Sequence, residues 1–254
     1  MKKFSLIVAA VLLLSCLGFA QKGLLIGLRG GVGASMFINK QDSDEPDDVY
    51  QVKSAGLAGL SVFYNFSETI GVGTSLGFSF LRTGWEVDYG IGTLYSITHH
   101  ANYFNLPIYL QFSGDPDNTV TGFFYIGPEF NFLMSVNQTS DIPNPLFWSA
   151  PTSAELKEFK SYHSGMVFGA GLGGGVNINV AESFRISLGV GIGGNFTDMY
   201  KAKDFKSIQR GTNPVTYASV SEEGFNVDPT TGKRDVTYQV KANFEIGVTY
   251  IIGK

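Results

Sequence analysis

The C-terminal part of the chain alternates strictly between apolar residues and small or polar residues. From Val236 to Tyr250, one parity carries Val, Tyr, Ala, Phe and Ile, and the other carries Thr, Gln, Lys, Asn, Glu and Gly. Successive side chains of a β-strand point to opposite faces, whereas a helix repeats every 3.6 residues. The pattern therefore predicts a strand with one apolar face. Residues 70–80 and 184–196 repeat it, with Gly and Ser on the second parity, joined in the latter segment by Arg185 and Asn195.

Composition favours the same conclusion and excludes some functions. The chain has 254 residues, of which 32 are Gly, 21 are Phe and 12 are Tyr. Gly costs about 1 kcal/mol per position in a helix, so this content suits crowded, curved β-structure better. Hydrophobic residues make up 44% of the chain, which excludes a disordered composition. A net charge of −4, with no basic stripe, argues against a nucleic-acid partner.

Eight segments of the chain alternate in this way. Each is longer than the roughly 9–11 residues that a tilted strand needs to cross a bilayer. An even number of strands is expected of a bacterial single-chain barrel. The predicted segments are Leu24–Ile38, Ser54–Phe66, Ile70–Arg82, Ile97–Phe112, Val120–Val136, Tyr162–Val180, Phe184–Thr197 and Asp235–Ile252.

The connections between these segments alternate strictly between long and short. Outer-membrane barrels have short periplasmic turns and longer extracellular loops, whereas a soluble sandwich has no reason to sort its loops by side. The long connections are Asn39–Lys53, Thr83–Ser96, Asn137–Ser161 and Asp198–Arg234, and the short ones are Ser67–Thr69, Ser113–Thr119 and Ala181–Ser183.

Charge decides which face of the barrel points outward. The charges near the middle of the strands all lie on the parity opposite the large apolar residues, and they are Arg29, Glu129, Lys241 and Glu245. Eight strands leave a lumen just wide enough for side chains, so eight continuous apolar faces must point outward, where only lipid suits them. We therefore expect an all-β fold, an eight-stranded antiparallel up-and-down transmembrane β-barrel of residues 21–254. It should be a monomer in outer-membrane lipid, with Phe37, Tyr103, Tyr109 and Tyr125 filling the lumen and excluding large solutes.

Residues 1–20 have the three parts of a secretory signal peptide. Lys2 and Lys3 form the positive region, 6–14 form a short apolar core, and Gly18 and Ala20 are small residues before Gln21. Cleavage after Ala20 removes Cys16, the single cysteine, and with it any disulfide, thiol catalysis or Cys-based metal site. The alternative is a lipoprotein whose lipidated residue is Cys16.

Three stretches resemble the PorT-like outer-membrane β-barrel family, which is similar in architecture to the OmpA and OmpX barrels. They are Gly27-Leu28-Arg29-Gly30-Gly31-Val32, Tyr103-Phe104-Asn105-Leu106-Pro107-Ile108-Tyr109-Leu110 and Tyr125-Ile126-Gly127-Pro128-Glu129. The resemblance implies an outer-membrane location and little chemistry. One founding member of the family is associated with protein secretion, and most members have no assigned role. The chain departs from the usual terminal aromatic, because it ends Tyr250-Ile251-Ile252-Gly253-Lys254. Since a proline inside a strand removes a ladder donor, a bulge is predicted at Pro107.

The interior charges have two interpretations. Buried charges in a narrow barrel must be paired whatever the function, so a structural salt-bridge network of Arg29, Glu129, Lys241 and Glu245 is favoured over a proton or ion path. We expect Arg29 to pair with Glu245, with Glu129, or with both.

Two histidines and one loop complete the candidate sites. His99 and His163 fall on the inward parity near the extracellular mouth, where no third metal ligand is evident, and Ser164 has the wrong parity for an esterase with His163. We expect no metal and no cofactor. Phe147 and Trp148 lie in a proline-rich loop that is either a partner contact for envelope or secretion proteins or a flap on the lipid interface. Two functional classes follow. The chain is either a non-enzymatic barrel with a structural, surface-interaction or secretion-accessory role, or a lipid-modifying enzyme with its site at the extracellular rim.

Overall fold

The computed structural model describes residues 23–38, 48–88, 94–115, 117–140, 163–200 and 236–252, together with residues 157, 160 and 161. They form nine strand segments: β1 (Leu24–Ile38), β2 (Asp48–Asn65), β3 (Ile70–Asp88), β4 (Leu94–Pro107), β5 (Tyr109–Ser113), β6 (Val120–Ser140), β7 (Met166–Ala181), β8 (Phe184–Asn195) and β9 (Tyr238–Ile252). Segments β4 and β5 are two halves of one barrel strand, because both lie between β3 and β6.

The sheet closes on itself through eight strands. Each barrel strand pairs antiparallel with its neighbours in sequence, and β1 closes the ring by pairing with both β2 and β9. Leu24 lies opposite Tyr64 on one side and Ile252 on the other. The predicted fold class is confirmed. No helix within the described ranges is long and apolar enough to cross a membrane.

The connections lie at two ends, which we call the short-turn end and the long-loop end. Residues 66–69, 114–119 and 182–183 connect strands at the short-turn end, and 39–47, 89–93, 141–165 and 196–237 connect them at the long-loop end. The predicted long connection at 83–96 is wrong in length, because β3 and β4 stay paired until Asp88 lies opposite Leu94. The predicted loop at 39–53 is shortened in the same way, because β2 begins at Asp48.

The bulge predicted at Pro107 is also wrong. Register with β3 is unbroken across the proline, from Asn105 opposite Gly77 to Tyr109 opposite Gly73. The ladder continues because the backbone N–H of the next residue, Ile108, donates to the carbonyl of Pro128 at 2.9 Å. The irregularity lies instead between Asn102 and Tyr103, where β6 carries one extra residue.

The outward face is apolar, as the parity predicts. On β9, exposed residues alternate with buried or half-buried ones along the whole strand, and Phe244 is 72% exposed. Phenylalanines of β3, β4 and β6 form one outward row, with ring centroids of Phe78 and Phe104 5.7 Å apart and those of Phe104 and Phe132 6.4 Å apart. Further toward the long-loop end the outward residues of β4 and β6 become polar, where Asn102 donates to Ser135 at 2.9 Å.

The lumen holds two separate clusters of buried apolar side chains. The outer cluster, at the long-loop end, contains Phe37, Ala55, Leu81, Ala101, Tyr103, Leu133, Val136, Val167, Met199 and Tyr200. The inner cluster, toward the short-turn end, contains Leu25, Phe63, Tyr109 and Tyr125.

Candidate functional site

Four charged side chains meet in the lumen beside the inner cluster. Arg29 projects from β1 and forms an ion pair with Glu245 of the adjacent strand β9. Lys241 of β9 reaches across the lumen to Glu129 of β6, with Nζ 2.7 Å from Oε2. We call these four residues the charge layer. Of the partners that the sequence left open for Arg29, the structure gives it Glu245, and Glu129 takes Lys241.

Two tyrosines complete the hydrogen bonding of both carboxylates. Tyr109 donates its hydroxyl proton to Glu129, and Tyr125 donates to Glu245, with its hydroxyl oxygen 3.0 Å and 3.2 Å from the two carboxylate oxygens. The guanidinium carbon of Arg29 lies 4.5 Å from the centroid of the Tyr125 ring, which adds a cation–π contact. Each carboxylate therefore has one cation and one phenol, which is what a buried charge needs. The sequence placed both tyrosines in the lumen by parity, but it did not indicate that they are donors.

Glycines on β7 and β8 make room for this layer. A Cβ atom at Gly171 would lie 2.4 Å from Oε1 of Glu129, and one at Gly191 would lie 2.4 Å from the hydroxyl of Tyr125. Side chains do not approach so closely, so any larger residue at these positions would displace the carboxylate or the phenol. The inward glycines of β7 and β8 leave the space that long side chains of the flanking strands β6 and β9 fill.

The two inward histidines are in contact inside the outer cluster. His99 and His163 stack with ring centroids 5.2 Å apart, and their Nε2 atoms are 3.3 Å apart, so that one ring donates to the other. Phe37 packs against His99 and Tyr200 packs against His163, and both imidazoles have 0% exposure. Within the described part of the chain, no group of three or more His, Cys, Asp or Glu side chains is arranged to hold a metal ion.

A short segment after β8 covers these histidines from the long-loop end. Met199 is fully buried, and its carbonyl accepts from the backbone N–H of Ser164 at 2.7 Å. The carboxylate of Asp198 accepts from the backbone N–H groups of Tyr200 and Thr237, at 3.1 Å and 3.3 Å. We call residues 198–200 the plug segment. The sequence placed these residues in a loop and did not predict that they enter the barrel.

Among the described residues, His163 and Ser164 do not form the catalytic arrangement that a rim enzyme would need. The hydroxyl of Ser164 donates to the carbonyl of Asp198 at 2.9 Å, and the ring of His163 packs between His99 and Tyr200. A fully buried imidazole cannot reach a lipid substrate in this conformation. Phe147 and Trp148, the predicted partner-contact residues, lie outside the described residues.

A closed antiparallel barrel with an apolar outward face and an ion-paired lumen defines the class of transmembrane β-barrels. The chain belongs to the family described as the outer membrane protein beta-barrel domain, whose model matches residues 19–201. The matched range contains β1 to β8 and the whole plug segment.

Solved structures of outer-membrane proteins resemble the chain at low identity. OprG from Pseudomonas aeruginosa is 13% identical over 92% of this chain and 98% of its own, with a TM-score of 0.44. Neisserial surface protein A is 9% identical over 89% and 96%, with a TM-score of 0.41. The outer membrane protease OmpT from Escherichia coli is 7% identical over 93% and 99%, also with a TM-score of 0.41. No protein of curated function matches the sequence.

Proposed function

We propose that this chain is a closed outer-membrane barrel that acts through its surface and does not conduct solutes. The observation that carries this proposal is the filling of the lumen at three successive levels. These are the outer cluster with its plug segment, the charge layer and the inner cluster. A role in transport would need a continuous path through all three.

Several large side chains in the outer part of the lumen are fully buried. Phe37, His99 and Tyr103 have 0% exposure, as does Met199 of the plug segment. The two cavities that border the charge layer have volumes of about 50 Å³ each, enough for only a few water molecules. Both cavities are lined by Arg29, Tyr125 and Glu245, so the charge layer separates one from the other.

The surface is then the part of the molecule that can meet other components of the envelope. We place the short-turn end in the periplasm and the long-loop end outside the cell, since such barrels sort their connections in this way. Loop 141–165 contains Phe147 and Trp148 and is our candidate contact for an envelope or secretion protein. The stretches that resemble PorT-like barrels supply Tyr109, Tyr125 and Glu129 to the lumen. The resemblance therefore supports a similar packing of the lumen in this chain and in those barrels more than it supports a common binding partner.

Export by residues 1–20 is part of the proposal. Cleavage after Ala20 predicts a mature protein whose first residue is Gln21. N-terminal sequencing of protein purified from outer membranes tests it, and a lipidated Cys16 at the mature N-terminus would contradict it.

Uptake of solutes by proteoliposomes tests the central part of the proposal. Vesicles containing the refolded barrel should swell in isosmotic arabinose no faster than vesicles without protein, while vesicles containing a general porin swell rapidly. Swelling at the porin rate would overturn the proposal. Incubation of the same barrel with radiolabelled phospholipid or lipid A tests the enzymatic alternative, and turnover of label would favour it over a purely structural role.

A further inference from the structure

The charges of the described residues in the inner half of the lumen do not sum to zero. From the level of Lys241 to the short-turn end, the strand positions that face the lumen carry three cations and two carboxylates. Arg29 is paired with Glu245 and Lys241 with Glu129, which leaves one cation over. That cation is Arg185 of β8, which is 5% exposed.

The guanidinium of Arg185 has one protein partner in the described part of the chain. Its Nε donates to the side-chain oxygen of Asn179 at 3.0 Å. The four N–H groups of its two terminal nitrogens have no acceptor among the described residues. Glu245 lies opposite Gly189, four residues along β8 and therefore roughly 13 Å away along the strand. The acidic side chains of the turns at this end are all exposed and form no ion pair with Arg185, and they are Glu68, Asp115, Asp117 and Glu182.

Arg185 lines the inner of the two lumen cavities. This cavity, of about 50 Å³, lies between the charge layer and the short-turn end and is also lined by Ser61, Gln111, Asn177 and Thr249. Asn177 is 3% exposed, and its Oδ1 accepts from Ser187 at 2.7 Å, while its Nδ2 has no hydrogen-bond partner among the described residues. A buried amide donor without an acceptor is unusual, because it has lost its water without replacement. The amide of Asn177 lines the same cavity as the guanidinium of Arg185, which forms no ion pair with a described residue.

We propose that this cavity is a binding site for one small monovalent anion, held between the guanidinium of Arg185 and the amide of Asn177. A buried cation is costly unless it is compensated, and a single negative charge makes the inner lumen neutral. The volume suits chloride, bromide or formate and excludes a large organic anion. The surrounding hydroxyl and amide groups of Ser61, Gln111 and Thr249 are polar neighbours that an anion can use.

The stability of the refolded barrel in different sodium salts tests this site. A ligand that binds only the folded state raises the unfolding midpoint as its concentration increases. At constant ionic strength, we expect chloride, bromide and formate to raise the urea midpoint above its value in gluconate, with a saturable dependence. Arg185→Gln should weaken the apparent anion affinity at least tenfold. Arg82→Gln removes an outward-facing cation that does not border the cavity, so it should keep the dependence of the wild type.

A second variant supplies the anion from the protein itself. Asn177→Asp places a carboxylate in the cavity, so it should make the barrel as stable in gluconate as in chloride. This variant decides the question even if Arg185→Gln does not fold. Equal midpoints for the wild type in chloride and gluconate would overturn the proposal. So would a chloride dependence that survives in both Arg185→Gln and Asn177→Asp, because it would then be a general effect of salt.

Discussion

The two halves of the lumen are filled by different physical means. The inner half contains two ion pairs, two phenols that donate to carboxylates, and one further arginine. The outer half contains closely packed aromatic and aliphatic side chains and two imidazoles in contact with each other. It also contains the plug segment, which belongs to the connection between β8 and β9. The difference indicates that the inner half is built by the strands alone, whereas the outer half depends on a loop that folds back into the mouth.

Replacing Arg29 with Met should have the largest effect, because it leaves the carboxylate of Glu245 buried without its cation. We expect a loss of roughly 3–5 kcal/mol in the free energy of unfolding, measured by urea titration in lipid vesicles. The double variant Arg29→Met/Glu245→Gln should recover much of that loss, because no charge is then stranded. Equal losses in the single and double variants would show that the pair does not determine the stability of the inner half.

Met199→Ala tests the outer half in the same assay. Removing a fully buried methionine side chain from the outer cluster should cost about 3 kcal/mol, because the apolar contacts are lost and a cavity remains. The charge layer should be unaffected, so combining Met199→Ala with Arg29→Met should give additive losses. Strong coupling between the two variants would mean that the halves are not independent.

Tyr109→Phe should have a smaller effect, since it removes one hydrogen bond to a carboxylate and leaves the ion pair in place. A loss of about 2 kcal/mol is expected. Tyr103→Phe is the matched control, because the hydroxyl of Tyr103 is buried and has no partner within the described residues. Its removal should leave the urea midpoint unchanged or raise it. A larger loss for Tyr103→Phe than for Tyr109→Phe would contradict the assignment of donors.

The smallest effect is expected on the lipid face. Ile246→Leu exchanges one apolar side chain for another of equal volume on the outward parity of β9, one residue from Glu245. The free energy of unfolding should change by less than about 0.5 kcal/mol. A loss comparable to that of Met199→Ala would mean that this face packs against protein and not against lipid.

The alternation of residues was sufficient to predict the barrel, the inward parity of the charges and the first strand to its last residue. It failed to predict where a strand ends when the strand continues beyond the lipid. On β3 the apolar residues lie on even positions up to Phe80, but Trp85 and Val87 are odd and alternate with Glu86 and Asp88. A pattern defined by lipid contact ends at Arg82, whereas backbone pairing continues to Asp88.

The candidate site was likewise predicted only in part. Local parity was enough to place Arg29, Glu129, Lys241 and Glu245 in one lumen. The choice of partners depends on the register of non-adjacent strands, which no local pattern encodes, so Lys241 was not foreseen as the partner of Glu129. The burial of Met199 and Tyr200 depends on how a loop returns to the barrel, and these residues have no periodic signal.

The accessibility of a single thiol between the two halves tests whether the lumen is sealed from both ends. Ser79 is 2% exposed, faces the lumen opposite Tyr103 and lines the cavity on the outer side of the charge layer. A mature chain beginning at Gln21 has no cysteine, so Ser79→Cys introduces one near-isosteric thiol into it. The refolded barrel in vesicles should not react with a small charged methanethiosulfonate added on either side, and should react fully once it is unfolded in urea. Rapid modification of the folded barrel would show that the lumen is open and would contradict the account.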